Sequence, residues 1–252
     1  MSKHEQEILS TVNLRGTVTV TELARALDVS DQTIRRIVVP MVERGDLKKV
    51  HGALVSTQTV ADPPFLTRMT KNRTAKVAIA NYIADLVKDG ASLAIDTGST
   101  SGFVAQALRR RKSLTVVTNS AFIASTLSMI DGNRVFIAGT QLRAHDGAAF
   151  DRAAFDVIAN FSVDYAILSA SQVHPTLGFL AYEQCEVDMS RAMIDIAGQT
   201  LLAVDRSKFS DEGPKPSLRL PKLRPTDTIV CDLDPGPKFL DLTKSCKLKI
   251  AK

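Results

Sequence analysis

The chain has 252 residues, an apolar share of 44% and a net charge of +5, enough for one large domain or two unequal ones with a real core. No apolar run approaches the roughly 20 residues that span a membrane, and the polar start Met1-Ser2-Lys3-His4-Glu5-Gln6-Glu7 has no signal-peptide core, so a cytoplasmic protein with no membrane partner is expected. The charge balance is +1 over residues 1–58, −1 over 59–205 and +5 over 206–252, so the basic surplus sits in a lysine-rich C-terminal stretch and is poor evidence for nucleic acid.

In chain order, Ile8, Leu9 and Val12 share one face of a first short helix over residues 5–13, which Arg15-Gly16 breaks. Thr17-Val18-Thr19-Val20 is β-branched and alternating, and predicts a short strand. Thr21 is expected to cap a second helix that turns Leu23, Ala24 and Leu27 inward, with Asp28-Val29 making the next turn. Ser30 then caps a third helix. Ile34, Val38, Met41 and Val42 fall on one face, Gln32 and Arg36 point the opposite way, and Thr33 and Arg35 lie on the flanks. Pro40 predicts that this helix kinks or ends near Val39, which crowds its base contacts into Gln32–Arg36. After Gly45, Asp46 to Val55 forms two short strands around a glycine turn at Gly52. Helix, helix, helix, hairpin is a winged helix-turn-helix, which places its later helix in the major groove. There Arg pairs with guanine, Gln with adenine, and hydroxyls with bases or phosphates.

Ser56 to Pro64 is a linker by composition, and Phe65 to Lys76 a basic connecting helix or arm. From residue 74 helices and strands alternate. Helices are expected over residues 75–87, 101–109, from 121, 152–160 and 186–197. Strands are expected at 92–96, 114–117, 134–138, 165–169 and 200–204, with short ones near Ile229 and Leu248. This alternation implies a mainly parallel sheet covered on both faces. The organisation expected is a DNA-binding domain over 1–58, a linker over 59–73 and an α/β domain over 74–252.

Ligands of such sheets bind beyond the carboxyl ends of the strands, so the residues that follow each strand carry the chemistry. Asp96-Thr97-Gly98-Ser99-Thr100-Ser101 joins a carboxylate, a glycine and four hydroxyls to a helix start, a phosphate-suited anion site without the Gly-Lys-Ser/Thr of a nucleotide loop. Thr118-Asn119-Ser120 offers three polar side chains at another helix start. Arg143 in Gln141–Gly147 can meet an anion and His145 a hydroxyl. Ser169 to Gln172, with Glu183, Glu186 and Arg191, forms a fourth group, and Lys208 in Asp205-Arg206-Ser207-Lys208 can reach a phosphate or carboxylate. Cys185, Cys231 and Cys246 are odd in number and widely spaced, so neither a disulfide framework nor a zinc site is indicated. No metal and no cofactor is expected.

These residues carry a resemblance. Glu22-Leu23-Ala24, Val29 to Arg36, the wing Val50-His51-Gly52-Ala53, Ile95 to Thr100, Val117 to Ser120, Ala138-Gly139 through Leu142-Arg143 to Asp146-Gly147, Arg191 to Ile194 and Val204 to Phe209 resemble the DeoR family of bacterial transcriptional regulators, and more specifically its glycerol-3-phosphate-repressor-like members. The resemblance covers nearly the whole chain. It implies a repressor of a carbohydrate or polyol operon whose second domain resembles the sugar-phosphate isomerase fold. That domain senses a phosphorylated sugar or polyol and releases operator DNA, and the protein acts as a homo-oligomer, a dimer or tetramer. The candidate DNA contacts are Thr21, Ser30, Gln32, Thr33, Arg35, Arg36, Lys49 and His51. The candidate effector contacts are Asp96, Thr97, Gly98, Ser99, Thr100, Thr118, Asn119, Ser120, Arg143, Glu183 and Lys208.

The chain departs from the family pattern at Ile37, where an Asp is usual, at Pro40, at Ala53 and Ala148 in place of glycines, and at Ser190 in place of a lysine. The competing reading is a sugar-phosphate isomerase with Glu183 or Asp96 as general base. Ser171-Gln172-Val173-His174 stands where an isomerase carries acidic residues, so no catalytic residue and no enzyme activity is expected. A regulator with a degenerate ligand site is the third reading.

Overall fold

The structure is a computed structural model that describes residues 3–15, 17–50, 53–56, 63–211 and 216–251. His51, and residues 57–62 of the expected linker, lie outside the described residues. The chain divides into two compact units, residues 1–68 and 69–252.

In the first unit α1 (Lys3–Arg15), β1 (Thr17–Thr19), α2 (Val20–Ala26), α3 (Asp31–Glu43), β2 (Leu47–Val50) and β3 (Ala53–Ser56) follow in order. The strands pair antiparallel in the order β1-β3-β2. Ile8, Val12, Leu23, Ile34, Val38, Met41, Leu47 and Leu54 close a core in which every helix and the hairpin takes part, the winged helix-turn-helix that the sequence predicts.

Two local expectations are corrected. Thr21 does not cap α2; Thr19 does. Its extended backbone lets the hydroxyl accept from Glu22 N at 3.2 Å while the Glu22 carboxylate accepts from Thr19 N at 2.8 Å, a capping box of the Thr-x-x-Glu kind. Thr21 sits one residue inside the helix and donates its hydroxyl to Asp31 at 2.9 Å. The second correction concerns Pro40. The helix does not end near Val39, for α3 runs through Pro40 to Glu43. Pro40 has no N–H for the carbonyl of Arg36, but Arg36 lies on the exposed face, where solvent can serve that oxygen. Beyond it Met41 is fully buried and Val42 packs on the core, which holds the last turn in place. The real stop is Gly45, at φ +80°. Gly45 N bonds to Val42 O at 3.0 Å and Asp46 N to Met41 O at 2.9 Å, the paired bonds of a Schellman motif that favour glycine at the left-handed position.

In the second unit α4 (Phe65–Thr70), which begins before the boundary, leads to α5 (Arg73–Leu86), β4 (Ser92–Ile95), α6 (Ser99–Leu108), β5 (Thr115–Thr118), α7 (Ala121–Ser128), β6 (Arg134–Ile137), α8 (Arg152–Ala159) and β7 (Val163–Leu168). Next come β8 (Gln172–His174), β9 (Gly178–Ala181), α9 (Gln184–Asp195), β10 (Ala197–Ala203), β11 (Leu218–Arg219), β12 (Thr228–Cys231), α10 (Leu240–Lys244) and β13 (Lys247–Ile250). Seven strands form one wholly parallel sheet of order β13-β12-β10-β7-β4-β5-β6. Side chains alternate between its faces. Leu93, Ile95, Val116, Ile167, Leu201 and Val230 pack with Ile79, Phe103, Val104 and Ile123 of α5, α6 and α7. Their neighbours Ala94, Val117, Ala166, Leu168, Leu202 and Ile229 pack with Ala154, Ile158, Met189 and Met193 of α8 and α9. Each of the five inner strands β4, β5, β7, β10 and β12 thus feeds two cores, as the α/β alternation predicts. The short antiparallel sheet β11-β9-β8 has no counterpart in the sequence reading, because runs of two to four residues are too short to show a period.

The chain builds β4, β5 and β6 in one direction, then returns to lay β7 on the other side of β4. The carboxyl ends of β4 and β7 are therefore the switch point of a doubly wound sheet, where ligand crevices open.

Since Pro40 removes a bond without ending α3, Pro40→Ala should restore it. The expected outcome is slower hydrogen exchange of the amides over residues 36–44, equivalent to about 1–3 kcal/mol after allowing for the unfolded-chain effect of proline. Exchange that is unchanged or faster would sink this account of the helix.

Candidate functional site

On α3, Ser30 accepts from Thr33 N at 3.1 Å and its hydroxyl lies 2.9 Å from that of Thr33. Ser30 and Thr33 are thus tied to each other, and they fix the start of the helix. Gln32, Arg35 and Arg36 are exposed, and among the described residues neither arginine forms an ion pair. Arg44, by contrast, is held by Glu5 at 2.8 Å and Asp46 at 3.1 Å, bonds that keep it above its ordinary pKa. Lys49 is exposed on β2, where only Leu47 points inward. The helix therefore offers two exposed guanidiniums and an amide from its first two turns, the donor set that reads purine edges in a major groove.

In the second unit Asp96 occupies the switch point. Its carboxylate accepts from Gly98 N at 3.0 Å, from the Ser101 hydroxyl, and from the Ser169 N and hydroxyl at 2.7 and 3.0 Å. One side chain so fastens the end of β4, the start of α6 and the end of β7. Burial pushes its carboxyl above the usual range, and the four donors pull it back. Gly98 is required where the strands converge, because a Cβ there would lie 1.8 Å from Ser169 Oγ and 2.7 Å from Ser169 Cβ.

Other predicted residues follow the strands at the same edge of the sheet. Gly98 is the N-cap of α6 and supplies no side-chain cap; Ser99 and Thr100 are buried in the first turn. The unsatisfied N–H groups of such a turn favour an anion. On the neighbouring β5, Thr118 donates to Ile95 O at 2.6 Å and accepts from Ser120 N at 3.1 Å. Asn119 donates to Ala149 O at 3.0 Å, and Ser120 caps α7. Lys208 ends a 3-10 turn after β10, at Arg206–Lys208, whose cap is Asp205. Thr97 Oγ1, Asn119 Oδ1 and Asp205 Oδ2 are buried without a hydrogen-bond partner. They lie after β4, β5 and β10, at the same edge of the sheet. A buried polar atom left unsatisfied costs about 1–3 kcal/mol.

Arg143 and Glu183 are brought together, but with each other. Arg143 bonds to Asp146 at 2.5 Å, Glu183 at 2.9 Å and Glu186 at 3.2 Å, and its guanidinium lies 4.4 Å from the Phe150 ring centre. Burial works against its charge, yet the Asp146 bond and the three carboxylates hold its pKa above the ordinary value. Arg143 therefore latches the loop after β6 to the start of α9, and Glu183 is committed to it. Burial also pushes the adjacent Cys185 thiol up to about 11, so it is not an activated nucleophile.

Sequence reasoning passed over Asn72. Its left-handed backbone lets the amide donate to Asp205 at 3.2 Å and Ser207 at 2.6 Å, which positions the Lys208 turn. An asparagine just before a helix was the available signal. Lys76, buried in the first turn of α5, was also passed over.

A helix-turn-helix head on an α/β sensor with its crevice at a switch point defines a ligand-controlled DNA-binding regulator. The family model described as DeoR-like helix-turn-helix domain matches residues 5–60, and that described as DeoR C terminal sensor domain matches residues 71–233. The glycerol-3-phosphate regulon repressor of Escherichia coli (strain K12) is 31% identical over 228 residues, covering 90% of this chain and 89% of its own. The repressor of the same name from Haemophilus influenzae is 35% identical over 209 residues, covering 83% and 82%. Among solved structures, ribose 5-phosphate isomerase A from Methanocaldococcus jannaschii aligns over 56% of either chain, with 18% identity and a TM-score of 0.42. The chain belongs to the DeoR family of transcriptional regulators.

Two outcomes test the geometry. Gly98→Ala should cost the second unit about 1–3 kcal/mol in denaturant unfolding, and adding Ser169→Gly should recover part of it; an unperturbed Gly98→Ala protein would refute the close approach. Asp151 caps α8 through Ala154 N at 2.9 Å and accepts from the N and hydroxyl of Thr140 and from Gln141 N. These bonds, that of Gln141 first, hold its carboxyl well below the usual range. A depressed native pKa stabilises above the unfolded value near 3.9 and is lost as pH falls toward the native one. Asp151→Asn should therefore be less stable than the parent at pH 7, with the gap closing as pH falls below about 4. A gap independent of pH would show that the carboxylate charge is not what clamps the loop.

Proposed function

We propose that the protein is a repressor that binds a two-fold operator as a homo-oligomer through α3. A phosphorylated sugar or polyol, seated at the switch point, releases it. The observation that carries the reading is the set of three unsatisfied buried atoms, Thr97 Oγ1, Asn119 Oδ1 and Asp205 Oδ2, beside the α6 turn that has no side-chain cap. Asn119 Oδ1 and a carboxylate oxygen accept only, so they call for hydroxyl donors. The helix start and Lys208 call for an anion. A polyhydroxylated phosphate supplies both, and a small polyol phosphate is in keeping with the names of the similar glycerol-3-phosphate regulon repressors.

On this reading Ser99, Thr100 and Lys208 hold the phosphate, while Thr97, Asn119 and Asp205 meet hydroxyls. Asp96, Gly98, Thr118 and Ser120 shape the crevice, and Arg143 with Glu183 positions its rim. Gln32, Thr33, Arg35 and Arg36 face the bases, and Thr21, Ser30, Lys49 and His51 flank them on the phosphates. As a regulator of bacterial type it works in the cytoplasm. An isomerase is not favoured, since Asp96 is saturated by four donors and Glu183 is paired to Arg143, so neither carboxylate is free to take a proton from a substrate carbon.

Thermal unfolding of the full chain against glycerol 3-phosphate and a panel of phosphorylated sugars tests the site. A ligand at 100 times its Kd adds about 2.7 kcal/mol of stability. Lys208→Ala and Ser99→Ala should lose most of that shift while keeping the affinity for DNA. Equal stabilisation of parent and both variants would remove the phosphate from this crevice.

A further inference from the structure

The outward face of α3 is longer than its polar residues. At 3.6 residues per turn, Gln32, Arg36, Val39 and Glu43 fall within about 60° of one another, opposite Ile34, Val38 and Met41. Burial follows that division. Ile34 and Met41 are fully buried and Val38 nearly so, whereas Val39 is 55% exposed and Gln32, Arg36 and Glu43 are exposed. Because α3 continues through Pro40, Val39 shares one stripe with the side chains that face the bases. A solvent-facing helical position is better served by Lys, Glu or Ala than by a β-branched apolar residue. Valine there is explained by an apolar partner.

We infer, on the DNA-reading role proposed for α3, that Val39 is a specificity-determining residue which packs against the C5-methyl group of a thymine in the major groove. The methyl is the one apolar group on a base edge there. Val39 lies about 4.5 Å along the axis from Arg36, one to two base-pair steps of about 3.4 Å. The thymine therefore adjoins the base read by Arg36. Glu43 stands one turn further on the same stripe and repels phosphate, so the apolar contact closes the readable segment.

The test uses the full chain and a random-sequence duplex pool. Each thymine of the enriched site is replaced singly by deoxyuridine, which lacks only the methyl group. At one thymine, within two base pairs of the position sensitive to Arg36→Ala, the loss of the methyl should weaken binding about fourfold, the worth of one buried methyl-sized group. In Val39→Ala the same replacement should change binding less than about twofold. A penalty undiminished in Val39→Ala, or no thymine whose methyl matters, overturns the role of Val39 and leaves DNA reading intact. No enriched sequence from the parent chain overturns DNA reading itself and Val39's role with it.

Discussion

A parallel sheet that winds both ways from its middle has to hold together two strands whose loops leave in opposite directions. Here one carboxylate does it. Asp96 takes two donors from its own loop, Gly98 N and Ser101, and two from Ser169 at the end of β7. The loops after β4 and β7 leave the sheet at that point, and Asp96 ties their starts together. Every other group at the site is placed relative to this knot. Gly98 leaves room for Ser169, and the absence of a side-chain cap leaves the first N–H groups of α6 unclaimed. Thr118 binds the end of β5 to the carbonyl of Ile95. An aspartate so fully used is a structural member of the site, and its neighbours must supply the contacts to a ligand.

Positioning and contact fall to different side chains elsewhere too. Arg143 carries the right charge for a phosphate, but three carboxylates surround it, and a ligand phosphate there would meet like charges. Lys208 lies on a short turn braced by Asp205 and Asn72, and among the described residues it makes no ion pair. Of the two cations, Arg143 holds loop and helix together, and Lys208 is the one proposed above to meet the phosphate. In the head, Arg44 is likewise spent on Glu5 and Asp46, while among the described residues Arg35 and Arg36 form no ion pair.

Much of the fold was legible because periodicity is local. The α/β alternation located the seven parallel strands, and Ser30 followed by a 3.6-residue apolar period located α3. The misses have separate causes. The capping box was written plainly as Thr19-Val20-Thr21-Glu22, yet the strand-like Thr17–Val20 run masked it. Pro40 was weighed as a local breaker, whereas the burial of Met41 and Val42 and the Gly45 stop decide where the helix ends. Side-chain commitments were not legible at all. Asp96 and Ser169 are 73 positions apart and Arg143 and Glu186 are 43 apart, distances over which a sequence carries no period. Loops at strand ends can therefore be found from pattern, but which of their groups remain free for a ligand depends on tertiary pairing.

Charge sets the last constraint. Residues 1–58 carry a balance of only +1, so one head gains little from phosphate attraction, the term that supplies most nonspecific affinity. On the proposed reading, binding to one half-site leans on base-edge contacts from a few α3 residues. Two heads joined in an oligomer multiply the effect, because the second binds at the effective concentration set by the first. The proposed oligomer thus answers a physical need of a nearly neutral head. In the proposed oligomer a small ligand releases DNA without touching α3. Half-sites one helical turn apart demand a head-to-head spacing near 34–36 Å, and a sensor that alters this spacing forfeits the second contact entirely. A coupling of about 1–3 kcal/mol, ordinary for allosteric ligands, then suffices to shift the balance between bound and released operator.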